Sequence, residues 1–279
     1  MKIFIELEDT FADIMRKATK GTAANAQRVA QGAGIDGQTF KAFLAEEARP
    51  TQTQAESIAA ALHLDPKKFA DIALGRWKPQ ERDLAGYIGH QVNRPHPSNG
   101  YFIIEKQHNA AAFVDPGGNA DNIMATLQRS GTGLQYVLLT HKHPDHVDAL
   151  PALRNAFPQA KVVIHKLDAR ALGRMANGML EVEDGETLPF ADDQIRLVHT
   201  PGHTDGSSCF TYKESVFTGD TLFAGSVGGL FGDNFGYAEL LQNIRTKLFA
   251  LPPDTAVLPG HGPPSTVGEE RRHNPFFAS

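Results

Sequence analysis

The sequence predicts an α/β fold preceded by a small all-helical segment. Three observations carry that class. Residues 1 to about 80 repeat apolar side chains at helical spacing. Beyond residue 83, short β-rich runs alternate with helical ones. Those runs end repeatedly in Gly, Pro, His or Asp, the places where α/β sheets gather ligands. The expected division is a helical domain over 1–80 and an α/β domain over 81–279.

The helical part reads as four or five short helices. Phe40, Phe43 and Leu44 share one face, as do Ala55, Ile58, Ala59 and Leu62, and then Phe69, Ile72 and Ala73. Gly21, "GAGID" (32–36), "RPT" (49–51) and "LDP" (64–66) punctuate them. Asp65 before Pro66 has the form of an N-cap with a first-turn proline. In the second part, strands are expected at "YFIIEK" (101–106), "AAFVD" (111–115), "YVLLTH" (136–141) and "KVVIH" (161–165). Four more follow at "IRLVHT" (195–200), "CFTY" (209–212), "SVFTGD" (215–220) and "TAVLPGH" (255–261). Helices are expected over 119–131 and 237–251.

Bulk properties narrow the function. At 279 residues and 41% hydrophobic, the chain can bury a sizeable core. A net charge of −5 argues against a protein whose whole surface grips nucleic acid. Cys209 is the only cysteine, which excludes an intrachain disulfide and a thiolate zinc cluster. The start, "MKIFIELEDTF", offers only Ile3, Phe4 and Ile5 before Glu6, too little for a signal-peptide core. No stretch approaches the roughly 20 apolar residues that span a bilayer. These features point to a cytoplasmic protein without membrane contact.

The chemistry concentrates in histidine. "THKHPDHVDAL" (140–150) places His141, His143, Asp145 and His146 directly after an apolar run. His203 follows "LVHTPG", Asp220 follows "VFTG" and His261 follows "AVLPG", each through a glycine that permits a tight turn. Of twelve histidines, five thus join two carboxylates at strand ends. That is enough for two metal ions sharing one carboxylate, and imidazole suits zinc, iron and similar metals.

"HKHPDH", with "VDPGG" (114–118), "TPGHT" (200–204), "FTGDTLFAGSVG" (217–228) and "PGHGPPSTVGEERRHNPF" (259–276), resembles the metallo-β-lactamase superfamily over roughly residues 83–279. The resemblance implies an αββα sandwich with a dinuclear site along one edge. It implies His141, His143 and His203 on one metal, Asp145, His146 and His261 on the other, and Asp220 bridging. The expected cofactors are two divalent ions, zinc first, with iron or manganese as alternatives. Two adjacent cations lower the pKa of bound water and polarise a carbonyl, so a bridging hydroxide is expected to attack, oriented by Asp145.

"FAGSVG" and the C-terminal run most resemble the short glyoxalase II group, which implies a small thioester or ester substrate. After "GSVG" this chain continues "GLFGDNFGY" (229–237) where that family has an Arg-Thr/Ser-Asp stretch, and it ends soon after "HNPFF" where longer relatives add helices. Both departures weaken glutathione as the substrate and leave thioester or ester hydrolysis. Lactonase, phosphodiesterase and mono-iron persulfide dioxygenase readings share the fold and rank lower. Phe223, Phe231 and Tyr237 are candidate substrate contacts, as are His273 and Asn274 near the end of the chain.

"VAQGAGIDGQTFKAFL" (29–44) resembles the helix-turn-helix of phage-repressor-type regulators, and the match runs over roughly residues 10–74. That resemblance implies DNA binding, and a regulator that senses a ligand through its metal domain is the contrasting reading. Residues 1–80 carry eleven Lys/Arg against ten Asp/Glu, and the would-be recognition helix ends in Glu46 and Glu47. So little positive charge disfavours phosphate contact. A homodimer contact or a cover over the active site is the preferred role.

Overall fold

The structure, a computed structural model, describes residues 6–22 and 25–278; Ile3, Phe4, Ile5 and Ser279 lie outside them. Five short helices come first: α1 (Phe11–Gly21), α2 (Ala26–Gly32), α3 (Gly37–Leu44), α4 (Gln52–Ala61) and α5 (Pro66–Ala73). Each starts on a side-chain cap, from Thr10, Asn25, Asp36, Thr51 and Asp65 in turn. A cap of this kind typically adds about 1 kcal/mol, which helps helices too short to persist alone. The stops fall where Gly and Pro announce them, and Gly34 between α2 and α3 takes the left-handed conformation at φ +68°.

Two six-stranded sheets follow. The first runs in chain order through β1 (Ile88–Val92), β2 (Asn99–Glu105), β3 (Ala110–Val114), β4 (Gly133–Leu138), β5 (Lys161–His165) and β6 (Leu180–Val182). It is antiparallel to β3 and parallel after it. The crossovers carry α6 (Ala120–Ser130), α7 (Pro144–Val147), α8 (Leu150–Ala156) and α9 (Lys166–Leu172). The second sheet contains β7 (Thr187–Phe190), β8 (Asp193–His199), β9 (Ser208–Tyr212) and β10 (Ser215–Gly219). A hairpin of β11 (Leu222–Phe223) and β12 (Ser226–Val227) comes next, then α10 (Tyr237–Asn243). The chain returns to the second sheet with β13 (Ala256–Pro259), parallel to β10, and β14 (Ser265–Thr266), and closes with α11 (Val267–His273).

Strand alternation explains the layering. Phe210, Phe217 and Leu258 of the second sheet meet Tyr101, Ile103, Val114 and Leu138 of the first in a central core. Phe102, Phe113 and Val137 face the other way, onto α6 and α8 through Ile123, Leu127, Leu150 and Leu153. Cys209, Val216 and Val257 point out of the second sheet. That sequence of layers is an αββα sandwich.

The front helices share the outer layer of the second sheet. Phe11, Ile14, Met15, Phe40, Ile58 and Phe69 belong to the same buried cluster as Val216, Leu240, Ile244, Val267, Phe276 and Phe277. Polar ties reinforce it: Asp65 N donates to Pro275 O at 2.8 Å and Lys68 Nζ to Arg271 O at 3.0 Å. Trp77 stacks on His273 with ring centroids 5.2 Å apart. The helices and the sandwich therefore have one continuous core, although the last front helix ends at Ala73 and the first strand starts only at Ile88.

Candidate metal centre

Loops from both sheets converge at one edge of the sandwich. His141, His143, Asp145 and His146 follow β4, with Asp145 and His146 on the single turn of α7; His203 follows β8, Asp220 follows β10 and His261 follows β13. The loops meet closely enough to require glycine. A Cβ on Gly117 would lie 1.4 Å from Asp145 O, and one on Gly228 would lie 1.7 Å from Asp220 O.

Three ring nitrogens face one another. His143 Nδ1 is 3.1 Å from His141 Nε2 and 2.9 Å from His203 Nε2. The outward nitrogens of the other two rings are already engaged. His203 Nδ1 donates to Gly229 O at 2.8 Å. His141 Nδ1 lies 3.1 Å from Thr140 Oγ1, which itself donates to Asp115 Oδ2 at 2.7 Å and so accepts from the ring. Lone pairs are thereby turned inward at His141 and His203. A proton on His143 Nδ1 satisfies only one of them, whereas a cation satisfies all three.

A second group lies beside the first. Asp145 Oδ2 is 3.2 Å from both His146 Nε2 and His261 Nε2. Asp220 stands between the groups. Its Oδ1 is 3.4 Å from His146 Nε2, and its Oδ2 is 3.3 Å from His203 Nε2 and 3.5 Å from His261 Nε2. Ligands bound tetrahedrally at about 2.0–2.1 Å sit roughly 3.3 Å apart, so these separations suit zinc-sized ions. His146 Nε2 and Asp220 Oδ1 are also buried without a hydrogen-bond partner, a costly state that a cation would relieve.

The electrostatics agree with that fit. Burial holds His141 and His143 below the ordinary histidine range and pushes His203 down to about 4, which favours neutral, ligating rings. Burial opposes charge on His146 and His261 as well. There the neighbouring carboxylates win, raising His146 and pushing His261 up to about 10. Burial would raise Asp145 and Asp220, but the imidazoles around them keep both ionised. A dense negative charge thus faces rings that a metal would deprotonate.

Asp115 is a site residue that sequence reasoning passed over, although it ends "AAFVD". It sits in the left-handed region at φ +55°, strained for a residue with a side chain. Its carboxylate accepts from His146 Nδ1 at 2.9 Å, Thr140 N at 2.8 Å and Thr140 Oγ1 at 2.7 Å. Asp115, His141 and His146 also lie close enough to hold an ion, but these bonds occupy Asp115 behind the rings, so it orients them. Asp115→Ala should weaken metal affinity about 10–100-fold, measured by competition with a chelator. Unchanged affinity would remove Asp115 from this role. Asp168, equally silent in the sequence, accepts from Lys142 N, Thr204 Oγ1 and Gly206 N and so ties the two histidine loops together.

The other candidates separate clearly. Phe223, Phe231 and Tyr237 line a cavity of about 360 Å³ together with His203, Asp220 and His261. His273 is not among its lining residues and stacks on Trp77. Asn274 is fully buried and donates to Ser226 O and Glu270 Oε2, each at 2.9 Å. Asn274 thereby secures the hairpin loop after Asp220, and it too is not among the residues lining this cavity. His199 stacks on His165 with ring centroids 3.8 Å apart and donates from Nε2 to Asp205 O at 2.8 Å. The front helices supply another wall: Arg16, Lys17 and Lys20 of α1 also line this cavity. Another cavity, also about 360 Å³, lies between these helices and the linker at Trp77 and Arg82, and holds no cradle residue.

The chain matches the family described as Metallo-beta-lactamase superfamily over residues 93–261. It is 33% identical over 197 residues to the hydroxyacylglutathione hydrolase GloC of Haemophilus influenzae, covering 63% of this chain and 92% of that protein. Among solved structures, it is similar to the B3 metallo-β-lactamase BLEG-1, with TM-score 0.62 and 29% identity over 69% of this chain and all of that one. It is also similar to TTHA1623 in a di-iron-bound form, with TM-score 0.56 and 32% identity over 68% of this chain and 100% of that chain. Among the described residues, no helix is long and apolar enough to cross a membrane.

Proposed function

Because the chain belongs to the metallo-β-lactamase superfamily, we propose that it is a dinuclear metal-dependent hydrolase of thioesters or esters. The observation that carries this reading is Asp220, whose carboxylate lies within 3.5 Å of His203 in one group and of His146 and His261 in the other. His141, His143 and His203 would hold one divalent ion, Asp145, His146 and His261 the other, and Asp220 both. When bound, such ions supply Lewis acidity and bring the pKa of water toward neutrality.

The chain's own residues account for the remaining requirements. Asp145, kept ionised by His146 and His261, is placed to accept a hydrogen bond from an attacking water and aim it. Asp115, Thr140 and the Gly229 carbonyl fix the ring orientations. Phe223 and Leu230 shield the cavity wall from water. No protein nucleophile competes, since Cys209 is fully buried and its thiol is pushed up to about 11. A thiolate leaves without a strong general acid, which favours thioesters, and the 33% identity to a hydroxyacylglutathione hydrolase supports that choice. We assign the front helices to this cavity in preference to DNA. Gln38 and Lys41 of α3 are exposed, but so are Glu46 and Glu47 immediately beyond.

A panel of acyl thioesters and lactones tests the reading, with thiol release as the signal and metal content measured in parallel. Thioester turnover with about two metals per chain is expected. Lactone cleavage with no thioester turnover, or a single iron per chain, would overturn it.

A further inference from the structure

Two lysines on one side of α1 approach the cradle through aromatic rings. Lys17 Nζ lies 4.9 Å from the centre of Phe223, whose ring is 5.9 Å from that of His261. Lys20 Nζ lies 5.3 Å from the centre of Phe231, whose ring is 5.4 Å from His143 and 5.3 Å from His203. Their situations differ in the charge left over. Lys17 is half-buried, pairs with Asp9 at 2.5 Å and donates to Val227 O at 2.8 Å, so it pins α1 to the hairpin. Arg16 is paired with Asp13. Lys20 is exposed and donates to the Leu230 carbonyl at 2.8 Å, and no carboxylate pairs with it among the described residues.

The nearest acids do not cancel that charge. Asp9 is consumed by Lys17 and by Ser226 Oγ, and Glu8 lies 3.8 Å from His261 Nδ1, on the cradle side. Phe231 beside Lys20 is 63% exposed, an unusual amount of aromatic surface to leave at a cavity mouth. An exposed lysine is normally a solvated, mobile charge. Here its ammonium is directed back over a ring and onto a loop carbonyl at the rim of the cavity.

We propose that α1 supplies an anion subsite for the substrate, with Lys20 receiving a carboxylate or phosphate on its tail. The acyl chain would lie along Phe231 while its electrophilic carbon reaches the space beside Asp220. This rests on the hydrolase reading and deepens it by naming the substrate class. The subsite comes from a helix outside the matched family region of 93–261. A point-charge ammonium accepts either anion, so Lys20 sets charge preference and leaves the headgroup to other contacts.

Two experiments separate this inference from the reading beneath it. The first compares kcat/KM for succinyl and butyryl thioesters of one thiol. The succinyl ester is expected to be preferred, and the preference should fall about tenfold in Lys20→Met, as for loss of a charge-assisted contact. It should fall further in Lys20→Glu, which puts a like charge at the mouth. A preference that survives both substitutions would overturn the subsite.

The second measures binding of succinate, 3-phosphonopropionate and butyrate to the metal-loaded protein by calorimetry. Tighter binding of the first two, lost in Lys20→Met, is expected, and their ranking distinguishes carboxylate from phosphate. Equal binding of all three would overturn the subsite even if thioesters are cleaved. A Lys20-dependent preference without any thioester turnover would sustain the subsite and remove the hydrolase reading instead.

Discussion

Asp220→Ala is expected to lose bound metal and turnover together. Its carboxylate lies between His203 of one group and His146 and His261 of the other, so one substitution would remove a ligand from both groups. The remaining Asp145 carboxylate would face two rings alone. The fall in activity should exceed the roughly 100-fold upper range of changes that merely reorient a ligand. Metal analysis of the purified variant and a thioester assay on the same sample check the result. Two retained metals with a near-normal rate would refute the shared role.

The second large effect concerns the front helices. A chain reduced to residues 81–279 is expected to aggregate or to lose cooperative melting. Leu240, Ile244, Val267, Phe276 and Phe277 lie in the same buried cluster as residues of α1, α3, α4 and α5, and removing those helices uncovers the outer layer of the second sheet. Each large side chain returned to water costs about 1.5–3 kcal/mol, and a domain's whole stability is about 5–15 kcal/mol. The bonds from Asp65 and Lys68 to the last turn of the chain would go as well. Solubility and thermal melting of the shortened chain decide the matter. A monomer that melts like the full chain would show that the helices are only an appendage.

The gathering of the seven cradle side chains was legible in the sequence because each sits where an apolar run stops, a local pattern that needs no tertiary knowledge. The eight strands carrying such runs were legible for the same reason. β1, β6, β7, β11, β12 and β14 were not. β1 is only partly buried, β6 and β7 are brief edge strands, β7 alternating over just four residues, and the rest are two residues long, so none carries an apolar run long enough to signal a strand. Asp115 was quoted within "VDPGG" without a role, since nothing local reveals that a ring thirty-one positions later leans on it. Asn274 was equally hard to place: a polar residue in a motif near the site suggests contact with substrate, and nothing local reveals that its amide donates to Ser226 O and Glu270 Oε2. Lys17 and Lys20 carry no local signal of a site, and only the docking of α1 brings them to the cavity.

The seam between the two sheets gives the centre a second thermodynamic meaning. His141, His143, Asp145 and His146 hang from the first sheet, and His203, Asp220 and His261 from the second. Ions held by both sets would cross-link the halves of the sandwich at that edge. Anything that binds the native state but not the unfolded chain stabilises it by RT ln(1 + [L]/Kd). Metal occupancy and resistance to heat would then be one linked quantity, and a chelator is expected to act on this protein as a denaturant would, lowering its melting temperature by loosening the join between its sheets.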